Sequence, residues 1–243
     1  MTRFQLTADC VGDIPLLTLA PKDASPALPT VLVLHGLGGS KEKVLPTLYA
    51  FAAQGFRAVA PDARLHGGRP GADEREARLN ANYLATMYEM IVGTAQDVSA
   101  LLDHLGVARA AVHGISLGGY ITFAALVGET RLAVASVAMG SPDWLGPLRA
   151  LGISLDLPLL APIVAENPLD HAPAAYPLRP LLMLHGETDD VVSPAGVRLL
   201  NERLTPLYCD APERLQLILY PDLGHRYTED MAQRSVAWTQ RFL

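Results

Sequence analysis

The sequence predicts an α/β fold: a mostly parallel central sheet of about eight strands, helices on both faces, and a short lid-like insertion. Three observations carry this expectation. Short, almost wholly apolar runs such as residues 30–34 recur along the chain, and such runs are the mark of strands buried on both faces. Helical periodicities separate them, and strands alternating with helices give a parallel sheet joined by crossovers. The chain has 243 residues, of which 50% are apolar, so it can bury one sizeable core without disulfides or metal.

The elements follow in order. Residues 3–7 and 14–19 are strand-like and separated by Gly12-Asp13, which suits an edge hairpin. A Pro- and Ser-containing loop at 21–29 leads to the apolar strand 30–34. A helix pattern covers 41–54 and is closed by Gly55; the next strand, 56–60, is stopped by Pro61. Residues 61–80 form a polar loop rich in Gly and Arg, after which helical periodicity resumes and ends at Gly106. A strand at 108–113, a helix at 120–127 and strands at 134–139, 180–184 and 215–220 follow, with a closing amphipathic helix at 230–242. Residues 141–179 break the rhythm with seven prolines (142, 147, 158, 162, 168, 173 and 177). An insertion of that length in a compact domain is expected to act as a lid or cap within a single domain of residues 1–243.

Composition excludes several functions. A net charge of −6 argues against non-specific nucleic-acid binding. The two cysteines, Cys10 and Cys209, lie in no ligand spacing, so neither a structural zinc nor a cofactor is expected. No apolar stretch approaches the ~20 residues that span a membrane, and the N-terminus lacks the apolar core of a signal peptide. The expectation is a cytoplasmic monomer or homodimer acting on a small molecule, with no membrane or nucleic-acid partner.

The chemistry is concentrated in Gly114-Ile115-Ser116-Leu117-Gly118, between an apolar strand and a helix. Gly-x-Ser-x-Gly at that junction makes a sharp turn that exposes the serine hydroxyl, so Ser116 is the candidate nucleophile. Serine needs an adjacent base, and the base needs an orienting acid. With this elbow they follow in the order Ser, acid, His. Of seven histidines, His171, His185 and His225 lie beyond Ser116, and His225 alone follows the acid candidates Asp189 and Asp190. Asp189 is preferred, because a turn starting at Gly186 aims it towards the last loop. Oxyanion donors are expected from the backbone N–H groups of Leu117 and of Leu37, in the glycine-rich turn His35-Gly36-Leu37-Gly38-Gly39. A dinucleotide-binding reading of that turn meets Lys41 where its third glycine belongs, and no phosphate-cradling Gly-Lys-Ser/Thr occurs.

These motifs resemble the α/β-hydrolase superfamily over essentially the whole chain: His-Gly-x-Gly-Gly at 35–39, the elbow at 114–118, Gly-x-x-Asp-Asp at 186–190 and Gly-His at 224–225. Residues 35–42 and 61–67 are similar to bacterial esterases near the dienelactone hydrolases and the prolyl-oligopeptidase catalytic domain. The resemblance implies a serine carboxylesterase with Ser116 as nucleophile, Asp189 as acid and His225 as base. Dienelactone hydrolases proper carry a cysteine nucleophile, and this chain has serine there. A thioesterase or peptidase with the same residues, and an inactive binding protein on the same fold, are the alternatives. For substrate binding, Arg64 and His66 in the basic 61–80 loop and Trp144 in the insertion are the candidates, although interleaved acids offer the arginines other partners. His35 and His113, at strand ends, are expected to be structural.

Overall fold

The computed structural model of the protein describes residues 3–22, 28–176 and 178–243, with only the backbone of 173–175. Part of the expected 21–29 loop, and Pro177 of the insertion, therefore lie outside the described residues. Eight strands form one sheet in the order β1-β2-β4-β3-β5-β6-β7-β8. They are β1 (Phe4–Val11), β2 (Ile14–Pro21), β3 (Thr30–Leu34), β4 (Arg57–Pro61), β5 (Ala110–Ile115), β6 (Leu132–Ala138), β7 (Leu181–Gly186) and β8 (Leu215–Tyr220). β1 and β2 form the expected antiparallel hairpin, turning at Gly12 with φ +61°, and β2 pairs antiparallel with β4. Every later pairing is parallel. The predicted strands at 30–34 and 215–220 coincide with β3 and β8.

Alternation along each strand divides the core into two layers. Leu32 and Leu34 of β3 face α3 (Tyr83–His104), α4 (Leu117–Gly128), α7 (Pro168–Ala175) and α8 (Ala195–Leu204). Val31 and Val33 face α1 (Leu45–Ala52) and α9 (Glu229–Phe242) on the other side. Every residue of β3 is buried, as a central parallel strand requires. Among the described residues no helix is long and apolar enough to cross a membrane.

Two local expectations are corrected. The first helix begins at Leu45, not Lys41. Pro46 belongs in a helix's first turn, and Lys41 is drawn away by Asp62, whose carboxylate accepts from its backbone N–H at 2.9 Å and its Nζ at 2.7 Å. Within the polar 61–80 loop lies α2 (Arg75–Ala81), a helix with no buried residue. It is held to α3 by an Arg78–Glu89 ion pair and by the Thr86 hydroxyl donating to the Arg78 carbonyl at 3.0 Å. The insertion contains α5 (Gly146–Ala150), α6 (Ala161–Ala165) and α7, with an apolar cluster of its own around Leu145, Leu148, Leu160 and Ile163.

After β3 the chain goes to β4 on one side, and then returns to β5 on the other. That reversal opens a crevice at the carboxyl ends of β3 and β5, where ligands collect in open α/β sheets.

Candidate active site

The turn after β5 fits because two glycines remove side chains from a crowded corner. A Cβ on Gly114 would sit 2.1 Å from the Gly118 carbonyl oxygen, and one on Gly118 would sit 2.1 Å from that of Leu34. Ser116 between them is held at φ 55°, ψ −113°, a left-handed backbone that costs on the order of 1–3 kcal/mol for a non-glycine residue. Its N–H donates to the Ala138 carbonyl at 2.8 Å, and its own carbonyl accepts from Gly119 at 2.8 Å. The strained backbone is thereby tied down on both sides, and the hydroxyl is left without a capping role.

Ser116 Oγ lies 2.9 Å from His225 Nε2, and His225 Nδ1 lies 2.7 Å from Asp189 Oδ2. The structure thus brings together the three residues singled out by chain order. Asp189 is buried at the end of β7; its Oδ1 accepts from the N–H groups of Val191 (3.0 Å) and Val192 (2.9 Å). Asp190 points to solvent. Behind Asp189, His185 was not foreseen in any site role. Its Nε2–H donates to the Val192 carbonyl at 2.8 Å and lies 3.3 Å from Asp189 Oδ2, while burial holds its pKa below the usual imidazole range. Sequence placed it only among the three histidines beyond Ser116.

The loop that carries His225 is fastened at several points. A Cβ on Gly186 would lie 2.2 Å from the Leu223 carbonyl, so the loops that carry Asp189 and His225 are in close contact. Two residues beyond His225, the Tyr227 hydroxyl is 2.9 Å from His113 Nε2, whose Nδ1 is 2.9 Å from Ser136 Oγ. His113 is therefore a buried anchor, in keeping with its expected structural place.

The glycine-rich turn after β3 lies against the elbow: a Cβ on Gly36 would be 3.4 Å from Ser116 Cβ. Two imidazoles shape this turn. His35 Nδ1–H donates to the Gly36 carbonyl (2.9 Å) and its Nε2 accepts from the Ala63 N–H (3.1 Å). His66 Nδ1–H donates to the Arg64 carbonyl (2.9 Å) and its Nε2 accepts from the Gly38 N–H (3.0 Å). The Gly39 N–H is spent on Gly36, so the Leu37 N–H stays outside the turn's own bonds. Leu117 opens α4, and its N–H has no intrahelical acceptor.

His35 and His66 each accept a backbone N–H, so both must be neutral. Burial holds His35 below its ordinary pKa and pushes His66 and the fully buried His113 down to about 4. The unfolded chain, with histidines near 6.5, takes up these protons first as pH falls. The stability they represent is whole above about pH 6.5 and is lost as pH drops towards 4. His113 alone represents about 3 kcal/mol across that interval. Urea unfolding at about pH 7 and about pH 4.5 is expected to show a large fall in ΔG. Equal stability at the two values would exclude neutral, buried imidazoles.

A cavity of about 450 Å³ opens on Ser116 and His225. Its walls include Tyr83, Met87 and Tyr88 of α3, with Trp144, Leu148 and Ile163 from the insertion. Trp144 is thus where a substrate contact was expected. Arg64 and His66 are not, and the sequence expectation for both is corrected. The Arg64 guanidinium lies across Gly93 of α3 and pairs with Asp97 at 3.0 Å, and His66 is buried under the glycine turn. Other arginines of the loop are also occupied, Arg69 by Asp97 and Arg75 by Glu76. Sequence analysis gave no site role to Tyr83, Met87, Tyr88 or Met90. Met90 is core, but the other three line the cavity, and the 83/87/91 spacing of Tyr, Met and Ile was the available signal. Among the described residues no cluster of His, Cys, Asp or Glu is arranged to hold a metal ion.

Comparison with known proteins agrees with this architecture. A protein of Bacillus subtilis (strain 168) named "Putative esterase YitV" is 27% identical, covering 99% of this chain and all of its own. Esterase YjfP of Escherichia coli (strain K12) is 29% identical over 96% of this chain and 97% of its own. The crystal structure of TT1662 from Thermus thermophilus superposes with a TM-score of 0.77 at 25% identity, covering 98% of both chains. The model of the alpha/beta hydrolase fold family matches residues 29–166, more than half of the sequence and including both glycine turns. The chain belongs to the alpha/beta hydrolase fold family.

Proposed function

We propose that the protein is a serine hydrolase that cleaves a small carboxylic ester through an acyl-enzyme. The observation that carries this is the unbroken Ser116–His225–Asp189 hydrogen-bond chain at the floor of an apolar cavity. His225 Nε2 takes the proton of Ser116 as Oγ attacks the ester carbonyl carbon. Asp189 holds the proton on Nδ1, so that Nε2 is free to accept, and stabilises the imidazolium that forms. The Leu37 and Leu117 N–H groups stabilise the oxyanion, each by about 3 kcal/mol. His225 returns its proton to the departing alcohol; water, activated by the same imidazole, then releases the acid. The names of YitV and YjfP favour an ester over a thioester or peptide. The segment from Ser141 to Tyr176 acts as the cap, supplying the roof over the acyl group.

A fluorophosphonate tests the nucleophile directly. It is expected to label the protein once, with the adduct mapped to Ser116 by mass spectrometry. Absence of an adduct at Ser116 would remove the assignment. A matched panel of ester, thioester and peptide substrates tests the bond, and ester turnover is expected to dominate.

A further inference from the structure

The cavity walls are apolar except for a few groups. Among the described residues lining it, beside the imidazole of His225, Asp143 is the one acidic side chain, and there is no lysine or arginine. Asp143 follows β6 and its side chain is 11% exposed. One carboxylate oxygen is fully engaged: Oδ1 accepts from the N–H groups of Leu145 (3.2 Å) and Gly146 (3.0 Å) and lies 3.3 Å from Arg149 Nη1. Oδ2 takes no hydrogen bond among the described residues. Arg149, about half exposed, is a solvent-screened partner outside the cavity wall. The Tyr120 hydroxyl, also lining the cavity, has its pKa pushed up by burial first, and then by Tyr83, Asp189 and Asp143.

We propose that Asp143 sets the charge specificity of this cavity, which admits uncharged and cationic acyl groups and rejects acyl chains that carry a carboxylate. The proposal rests on Ser116 being the nucleophile, since that fixes where the acyl group sits. A fixed carboxylate in a partly desolvated wall repels a second one. Two carboxylates held about 6 Å apart at an effective dielectric of about 20 would repel by an amount that corresponds to roughly a 100-fold penalty. A quaternary ammonium meets attraction of the same origin, in a cavity that Tyr83, Tyr88 and Trp144 also line.

Three p-nitrophenyl esters of matched length test this: the hexanoate, the mono-ester of adipic acid, and the 6-trimethylammoniohexanoate. The wild type is expected to favour hexanoate over the adipate by roughly 100-fold in kcat/KM. The side-chain carbonyl of D143N still accepts from Leu145 and Gly146, so the turn is retained. In D143N the hexanoate-to-adipate ratio is expected to fall at least tenfold, and the preference for the trimethylammonio ester to fall with it. Should D143N not fold, raising the wild type from about 0.02 M to about 0.5 M salt is expected to narrow the hexanoate-to-adipate ratio. A wild-type ratio within threefold of one, or a ratio that D143N leaves unmoved, overturns the role of Asp143. In that event hexanoate turnover and fluorophosphonate labelling would still support Ser116. Neither turnover nor labelling would instead overturn the Ser116 assignment, and this proposal with it.

Discussion

Replacing Ser116 by alanine is expected to lower kcat for p-nitrophenyl butyrate by on the order of 10⁴-fold or more, with thermal stability nearly unchanged. The two halves of that expectation have separate physical grounds. In the proposed mechanism no acyl-enzyme forms without Oγ, and the remaining donors can only assist direct attack by water. The fold has little stake in the hydroxyl: its partner is His225, and it caps no backbone N–H of α4. Alanine inherits the φ of 55° with the same restriction that serine carries, so the strain is common to both. A stability change within about 1 kcal/mol is expected, read by urea unfolding beside the kinetics. Activity surviving above one-hundredth of wild type in S116A would place the nucleophile elsewhere. A variant that fails to fold would show that the elbow depends on the hydroxyl, against the hydrogen bonds described above.

Some parts of this protein are legible in sequence because one local force decides them. β3 is a run that only a strand can bury in five residues, and β8 is an equally short apolar run that ends the sheet half-buried. Gly114 and Gly118 mark the elbow because backbone from another strand or turn lies where their Cβ atoms would be. Chain order then brought His225 into view. Other parts depend on distant partners. α2 has no apolar stripe, and what fixes it is Glu89 and Thr86 on the next helix. Charge in the 61–80 loop was visible, but the acid that claims Arg64 and Arg69 lies about thirty residues on, at Asp97. Tyr83 and Met87 show the same limit from the opposite side. Periodicity marks an apolar face without saying whether protein or a cavity lies against it. The choice between adjacent aspartates is of a third kind, because it turns on one backbone rotation after Gly186.

That choice yields the second large effect. Asp189→Asn is expected to reduce kcat by about 10³- to 10⁴-fold, while Asp190→Asn stays within about twofold of wild type. In the wild type the two oxygens of Asp189 do different work. Oδ1 takes the Val191 and Val192 N–H groups, and Oδ2 takes Nδ1–H of His225. An asparagine oriented by the two backbone donors keeps its carbonyl on Oδ1 and presents an amide NH₂ to His225. Donor then faces donor. The imidazole relieves this by moving its proton to Nε2, where it can no longer accept from Ser116. The loss therefore falls on kcat, with KM little changed, because no wall of the cavity has moved. Stability is expected to drop by about 1–3 kcal/mol, the cost of spoiling a charge-assisted bond at a buried site. Asp190 is exposed and takes no part in this chain. Equal losses in D189N and D190N would show that the loop's charge matters and the individual bond does not. A D189N enzyme retaining more than a tenth of wild-type kcat would dismiss Asp189 as the group that sets the tautomer of His225.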